Sequence, residues 1–186
     1  MTENIGLALL GIIFGWLFFY SKRTVLAYIF FFLWILFIPN TIYLITDLQH
    51  ISKQWVGINY FERFLIVSQY LVLAVLGVVS YIVAMHPIEK VFNELKLKRR
   101  RNVRFIVIVL VNLFIAFGLI LGKFQRTHSW YIFTDFNRVI SDVTAVLKAQ
   151  ELLGVVLLFG VVINLVYFGF KNMIDKSLAR DSIYKS

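Results

Sequence analysis

The feature that most constrains this chain is the length of its uncharged runs. Ile5–Tyr20, Val25–Leu44, Phe64–Met85 and Leu152–Phe170 hold no Asp, Glu, Lys or Arg, and Val103–Gly122 holds only Arg104, at its edge. A helix needs roughly 20 apolar residues to cross a hydrocarbon core about 30 Å thick. Runs of this length, separated by short charged stretches, describe a membrane bundle. Hydrophobic residues make up 60% and charged residues 16% of the chain, against roughly 45–50% and 25% in a soluble domain. The predicted fold is therefore all-α and polytopic. It is a single membrane domain over residues 1–186, with five transmembrane helices at about 5–20, 25–48, 64–85, 103–122 and 152–170. The N-terminus has no basic residue before the first run, so that run reads as a retained helix rather than a cleaved signal peptide. The absence of cysteine excludes disulfides, thiolate metal sites and cysteine nucleophiles.

Charge supplies an orientation. Thirteen of the nineteen Lys and Arg residues fall in the Ser21–Thr24 turn, the Met85–Arg104 segment and the C-terminal tail, which share one side. The other six are Lys53, Arg63, Lys123, Arg126, Arg138 and Lys148. Basic loops stay in the cytoplasm, so the expectation is a cell-membrane protein with its N-terminus outside and its C-terminus cytoplasmic. The net charge of +9 and the run "KLKRRRNVR", Lys96–Arg104, then point to anionic lipid headgroups rather than nucleic acid.

The second run ends in "PNTIYLITDLQH", Pro39–His50. Val25–Ile38 covers only about 21 Å as a helix, so the helix should continue through Pro39 with a kink. On that continuation Asn40, Tyr43, Asp47 and His50 share one stripe, with Thr46 beside it. Thr41, Ile42, Leu44, Ile45 and Leu48 take the remaining surface, expected to face lipid. On the same side lies the loop Lys123–Gln150, with Arg126, His128, Ser129 and Trp130 followed by "YIFTDFNRV". That stretch parallels "YLITDLQHI", Tyr43–Ile51, as either a tandem repeat or convergent interface chemistry. Thr134 reads as a helix N-cap. Phe136, Val139, Ile140, Val143 and Leu147 then predict an amphipathic interfacial helix, with Arg138, Ser141, Asp142 and Lys148 on its exposed face.

The Pro-Asn-x-x-Tyr-x-x-Thr-Asp-x-x-His pattern at Pro39–His50 resembles a bacterial family of multi-pass membrane proteins, the domain-of-unknown-function family thirteen sixty-one. Arg126–Tyr131 is similar to that family's Arg-x-Asn-Ser-Trp-Asp segment, with His128 where Asn is usual and Tyr131 where Asp is usual. The resemblance implies a bacterial membrane protein and brings no activity with it.

Two functional readings stay open. In one, the outward cluster is an outer-leaflet enzyme acting on lipid or envelope precursors. Asp47 and His50, one turn apart, with His128 and Asp135, would hold a divalent metal such as Zn²⁺ or Mn²⁺. Arg126 would hold a phosphate or carboxylate, with Asn40, Ser129 and Trp130 also binding ligand. Asp47, His50, Tyr43 and Glu62 are the candidates for proton transfer or catalysis. In the other, the protein is a non-enzymatic membrane subunit or assembly factor, and the polar cluster only ties loops together. The pairs Gly11/Gly15 and Gly118/Gly122 serve helix packing, with a membrane protein partner or within the chain. Mid-span Asn112 and Asn164 should bond between helices. A transporter would need ionisable residues near the midplane, and the sequence places none there.

Overall fold

The computed structural model describes residues 2–21, 23–46, 51–55, 57, 59–94 and 101–183. The described residues form helices and their connections, with no strand among them. In chain order these are α1 (Thr2–Tyr20), α2 (Thr24–Phe37), α3 (Pro39–Thr46), α4 (Ile51–Gln54), α5 (Tyr60–Glu94), α6 (Arg101–Phe124), α7 (Tyr131–Thr134), α8 (Phe136–Lys148) and α9 (Gln150–Ile183). Four helical stretches are long and apolar enough to cross a membrane: Thr24–Thr46, Tyr60–Phe92, Asn102–Phe124 and Gln150–Lys171. The fifth expected span is a shorter apolar helix, Asn4–Tyr20.

The expected kink lies at Ile38, between α2 and α3. Pro39 has no N–H, so the regular ladder is interrupted. The Thr41 N–H turns to the Ile38 carbonyl at 3.1 Å, and the Thr41 hydroxyl donates to the same carbonyl at 2.8 Å. The Asn40 side-chain amide donates to the Phe37 carbonyl at 3.0 Å. Polar side chains of α3 thus satisfy carbonyls at the break, which a buried helix interruption requires.

α3 is enclosed rather than one-sided. Thr41, Ile42 and Leu44 are buried along with Pro39 and Asn40. The expectation that Thr41, Ile42 and Leu44 face outward is therefore overturned: α1, α5 and α6 all pack on α3. Glycines make the close approach possible. A Cβ at Gly11 would lie 3.2 Å from the Phe37 carbonyl oxygen, and one at Gly118 would lie 2.7 Å from Pro39 Cγ. One at Gly122 would overlap the Tyr43 hydroxyl, and one at Gly77 would meet Ile45 Cγ1 at 2.8 Å. Both glycine pairs of the sequence, on α1 and on α6, are spent inside the chain on the two sides of the α2–α3 break.

α5 runs past the expected end at Met85, through buried Pro87, to Glu94. In the turn that the proline disrupts, the Ala84 carbonyl accepts from Trp34 Nε1 at 2.8 Å. Gly15 leaves the room for that indole: a Cβ there would stand 2.8 Å from Trp34 Cδ1.

These contacts also set directions. Gly11 and Gly15 meet Ile38 and Trp34, so α1 and α2 run antiparallel. Gly118 and Gly122 meet Pro39 and Tyr43, so α3 and α6 run parallel. Asn112 pairs with Asn164 and Arg104 lies near Lys171 through Glu89, so α6 and α9 are antiparallel. Ala8 clusters with Tyr70 and Leu73 while Trp16 stacks near His86, so α1 and α5 run parallel. α1, α5 and α9 go one way; α2–α3 and α6 go the other. The main core lies among α2–α3, α5, α6 and α9, around Trp34, Ile38, Tyr81, Met85, Ile115 and Leu119.

A candidate anion-binding cavity at one end of the bundle

At the end formed by the start of α1 and the ends of α3 and α6 lies a cavity of about 660 Å³. Three elements build its lower walls: Asn4 and Leu7 of α1, Leu36 to Tyr43 across the break, and Phe114 to Gly122 of α6. Its rim is Lys123, Arg126, Thr127, His128 and Ser129, and Ile132, Val139 and Val143 cover it.

The rim is folded back by one residue. Arg126 has φ 56°, in the left-handed region, a conformation that usually falls to glycine at helix ends. The Thr127 N–H then reaches back to the Leu121 carbonyl at 3.3 Å. This reversal carries Thr127 to Ser129 over α2–α3. Ser129 Oγ accepts from Asn40 Nδ2 at 3.1 Å and donates to the Leu36 carbonyl at 3.2 Å. Tyr43 Oη donates to the Leu119 carbonyl at 2.9 Å, and Lys123 Nζ to the Thr46 carbonyl at 3.2 Å. The loop and the proline break are thus bonded into one wall.

α8 closes the site from above. Asp135 caps it by accepting from the Arg138 N–H at 3.2 Å. The cap is therefore Asp135 and not Thr134, whose hydroxyl bonds the Trp130 carbonyl at 3.4 Å. Val139 and Val143 face the cavity and Val146 is buried, while Phe136, Ile140 and Leu147 are exposed. Asp142 is not on an open face as expected. Its Oδ2 accepts from the Thr127 hydroxyl at 2.6 Å and lies 3.8 Å from Arg138 Nε, with 15% of the side chain exposed.

Of the residues the sequence singled out, Asn40, Tyr43, Arg126, His128 and Ser129 come together around the cavity. Asn40 and Ser129 spend hydrogen bonds on each other and on the α2–α3 backbone. Trp130 stacks on His128 at 4.5 Å with the rings nearly parallel, outside the lining. Asp135 is occupied as a cap. Glu62 sits in a capping box at the start of α5, where its Oε2 accepts from the Asn59 N–H at 3.0 Å and its own N–H donates to Asn59 Oδ1 at 2.9 Å. It does not line the cavity. Asp47 and His50 lie outside the described residues, and so does their expected contact with the Arg126–Asp135 segment. Among the described residues no three His, Asp or Glu side chains gather as a metal site would require. The two Tyr-x-x-Thr-Asp stretches also have unlike surroundings: Tyr43 is packed against α6, while Tyr131 stands in α7 with the Arg138 guanidinium 4.7 Å over its ring.

A family model described as proteins of unknown function, DUF1361, matches residues 4–166. The chain belongs to this family. The matched stretch of this DUF1361 protein contains every described residue that lines the cavity, from Asn4 to Val143. No curated protein and no solved structure matches the chain.

The opposite end carries a cluster that sequence reasoning missed. Glu89 of α5 pairs with Arg104 of α6 at 2.9 Å, and it also bonds Lys171 and the Tyr167 hydroxyl of α9. From there polar contacts continue inward. Tyr81 Oη donates to Asn112 Oδ1 at 2.6 Å, and Asn112 Nδ2 to Asn164 Oδ1 at 2.9 Å. Both mid-span asparagines bond between helices, as expected, and they do so to each other. Ile88 and Phe92, both buried beyond Pro87, were the signal that the helix continues and carries Glu89 into the bundle.

Proposed function

We propose that this DUF1361 protein is a five-span protein of the bacterial cell membrane, N-terminus outside and C-terminus cytoplasmic, whose cavity faces outward and binds an anionic group. The shorter helix α1 completes the bundle as the fifth span, since it lies among α2, α3 and α5. Phosphate or carboxylate, borne by lipid headgroups or envelope precursors, is the ligand class.

One observation carries this reading. Arg126 stands at the rim, makes no ion pair among the described residues, and no acidic residue is among the described lining residues. A guanidinium offers five donors in a fork that suits phosphate and carboxylate. Its left-handed backbone costs about 1–2 kcal/mol for a residue with a Cβ, and such strain is characteristic of functional positions. The volume falls inside the roughly 300–1,000 Å³ of small-molecule sites. Any catalytic or metal role would be added by Asp47 and His50, which follow Thr46 in the sequence.

Glycerol 1-phosphate titrated into the purified full chain, followed by calorimetry, tests the reading. Arg126→Gln should weaken binding by about tenfold or more, the effect of losing a charge-assisted hydrogen bond of at least about 1.4 kcal/mol. Equal binding by both proteins, or by neither, would refute it.

A further inference from the structure

We infer that the ligand of this cavity is an anionic glycerophospholipid that enters sideways from the bilayer, with its headgroup at Arg126 and an acyl chain lying along α6. The inference rests on the anion-binding reading and adds the identity of the ligand and its route.

The cavity changes character with depth. Its rim is polar, but below Gly122 the α6 wall is Leu121, Phe117 and Phe114, faced by Leu36 and Leu7; Asn40 and Ser129, which also line it, spend hydrogen bonds on each other and on the Phe37 and Leu36 carbonyls. Gly122 to Phe114 is eight residues of helix, about 12 Å. A soluble anion would use only the rim. The apolar floor gives water too few hydrogen-bond partners to hold it in order, so hydrocarbon is the occupant whose chemistry suits it.

Phe114 supplies the route. It lines the cavity and is 45% exposed. It lies ten residues before the end of α6 at Phe124, about 15 Å along the helix and so about half the thickness of the hydrocarbon core. A cavity wall exposed at that depth is open to acyl chains rather than to water. Charge complementarity sets the headgroup: the guanidinium at the rim, without an acid among the described lining residues, favours an anionic lipid over a zwitterionic one.

The test uses the purified full chain in nanodiscs of phosphatidylcholine doped with phosphatidylglycerol, with retained lipid read by native mass spectrometry. Wild type should retain phosphatidylglycerol over phosphatidylcholine. Leu121→Trp, which fills the floor, should lower that retention about tenfold, the loss expected when roughly two methylenes are kept out. Its loss of affinity for glycerol 1-phosphate should be smaller than that of Arg126→Gln, because the guanidinium remains. Leu7→Trp, on the facing wall, gives the same readout if Leu121→Trp fails to fold. Equal retention of the two lipids by wild type overturns the inference. So does undiminished phosphatidylglycerol retention in both tryptophan variants while Arg126→Gln loses glycerol 1-phosphate; the anion site then stands without the acyl chain. If Arg126→Gln keeps glycerol 1-phosphate, the anion-binding reading falls and this inference with it.

Discussion

Tyr43 and Gly122 show how tightly single residues define the cavity wall. The tyrosine ring occupies the space over Gly122, and its hydroxyl reaches the Leu119 carbonyl only because no Cβ intervenes. Gly122→Ala should force the ring aside and cost about 1–3 kcal/mol, the usual penalty of overpacking. Tyr43→Phe in the same chain should recover part of that loss, because it removes the nearest atom but leaves the ring carbon Cζ 2.6 Å from the new Cβ. Thermal unfolding of the two single variants and the double variant in detergent checks this. Additive losses would mean that the two residues do not share a contact.

At the scale of elements, the two prolines differ. Pro39 opens α3 after a break at Ile38, against Gly118 of α6, whereas α5 runs unbroken through Pro87, where Trp34 donates to the Ala84 carbonyl. α8 lies over the rim of the cavity. Val146 anchors it, and the Thr127–Asp142 bond fastens it to the rim loop. Asp142→Asn should weaken that bond and cost about 1 kcal/mol, below the range for losing a charged acceptor outright because the asparagine oxygen still accepts from Thr127. Hydrogen exchange should rise across 136–148 and stay unchanged in α6. Unaltered exchange in α8 would show that the bond does not hold the helix closed.

For the whole molecule, the alternation of directions gives two unlike ends. One holds the cavity; the other holds Glu89 with Arg104 and Lys171, and Lys90 over the Trp16 ring at 4.7 Å. Arg23, Lys90, Arg101, Arg104 and Lys171 lie at that second end, within the sequence's basic segments, so it should be the cytoplasmic one. Reporter fusions at Arg23 and Glu94 should report cytoplasm, and fusions at Gly57 and Ala149 the outside. An external signal at Glu94 would invert the protein and turn the cavity inward.

Hydrophobic run length alone determined that the chain is helical with helices long and apolar enough to cross a bilayer, because an uncharged run of that length has few other stable environments. The sequence also sufficed for the helix interruption at Pro39 and for interhelical bonding by Asn112 and Asn164, since a buried amide must find a partner, though not for their pairing with each other. Which side of α3 is enclosed was decided only by tertiary structure. Its polar stripe and its apolar face are both covered, because glycines on α1, α5 and α6 let three helices approach at once. Glu89 escaped notice because a proline two residues earlier resembles a helix end, although the apolar positions Ile88 and Phe92 beyond it mark the helix as going on. The cavity itself joins Leu7, Asn40, Phe114 and Arg126. Nothing in their local patterns connects residues so far apart in sequence; the crossing of helices and the left-handed turn at Arg126 bring them to one place.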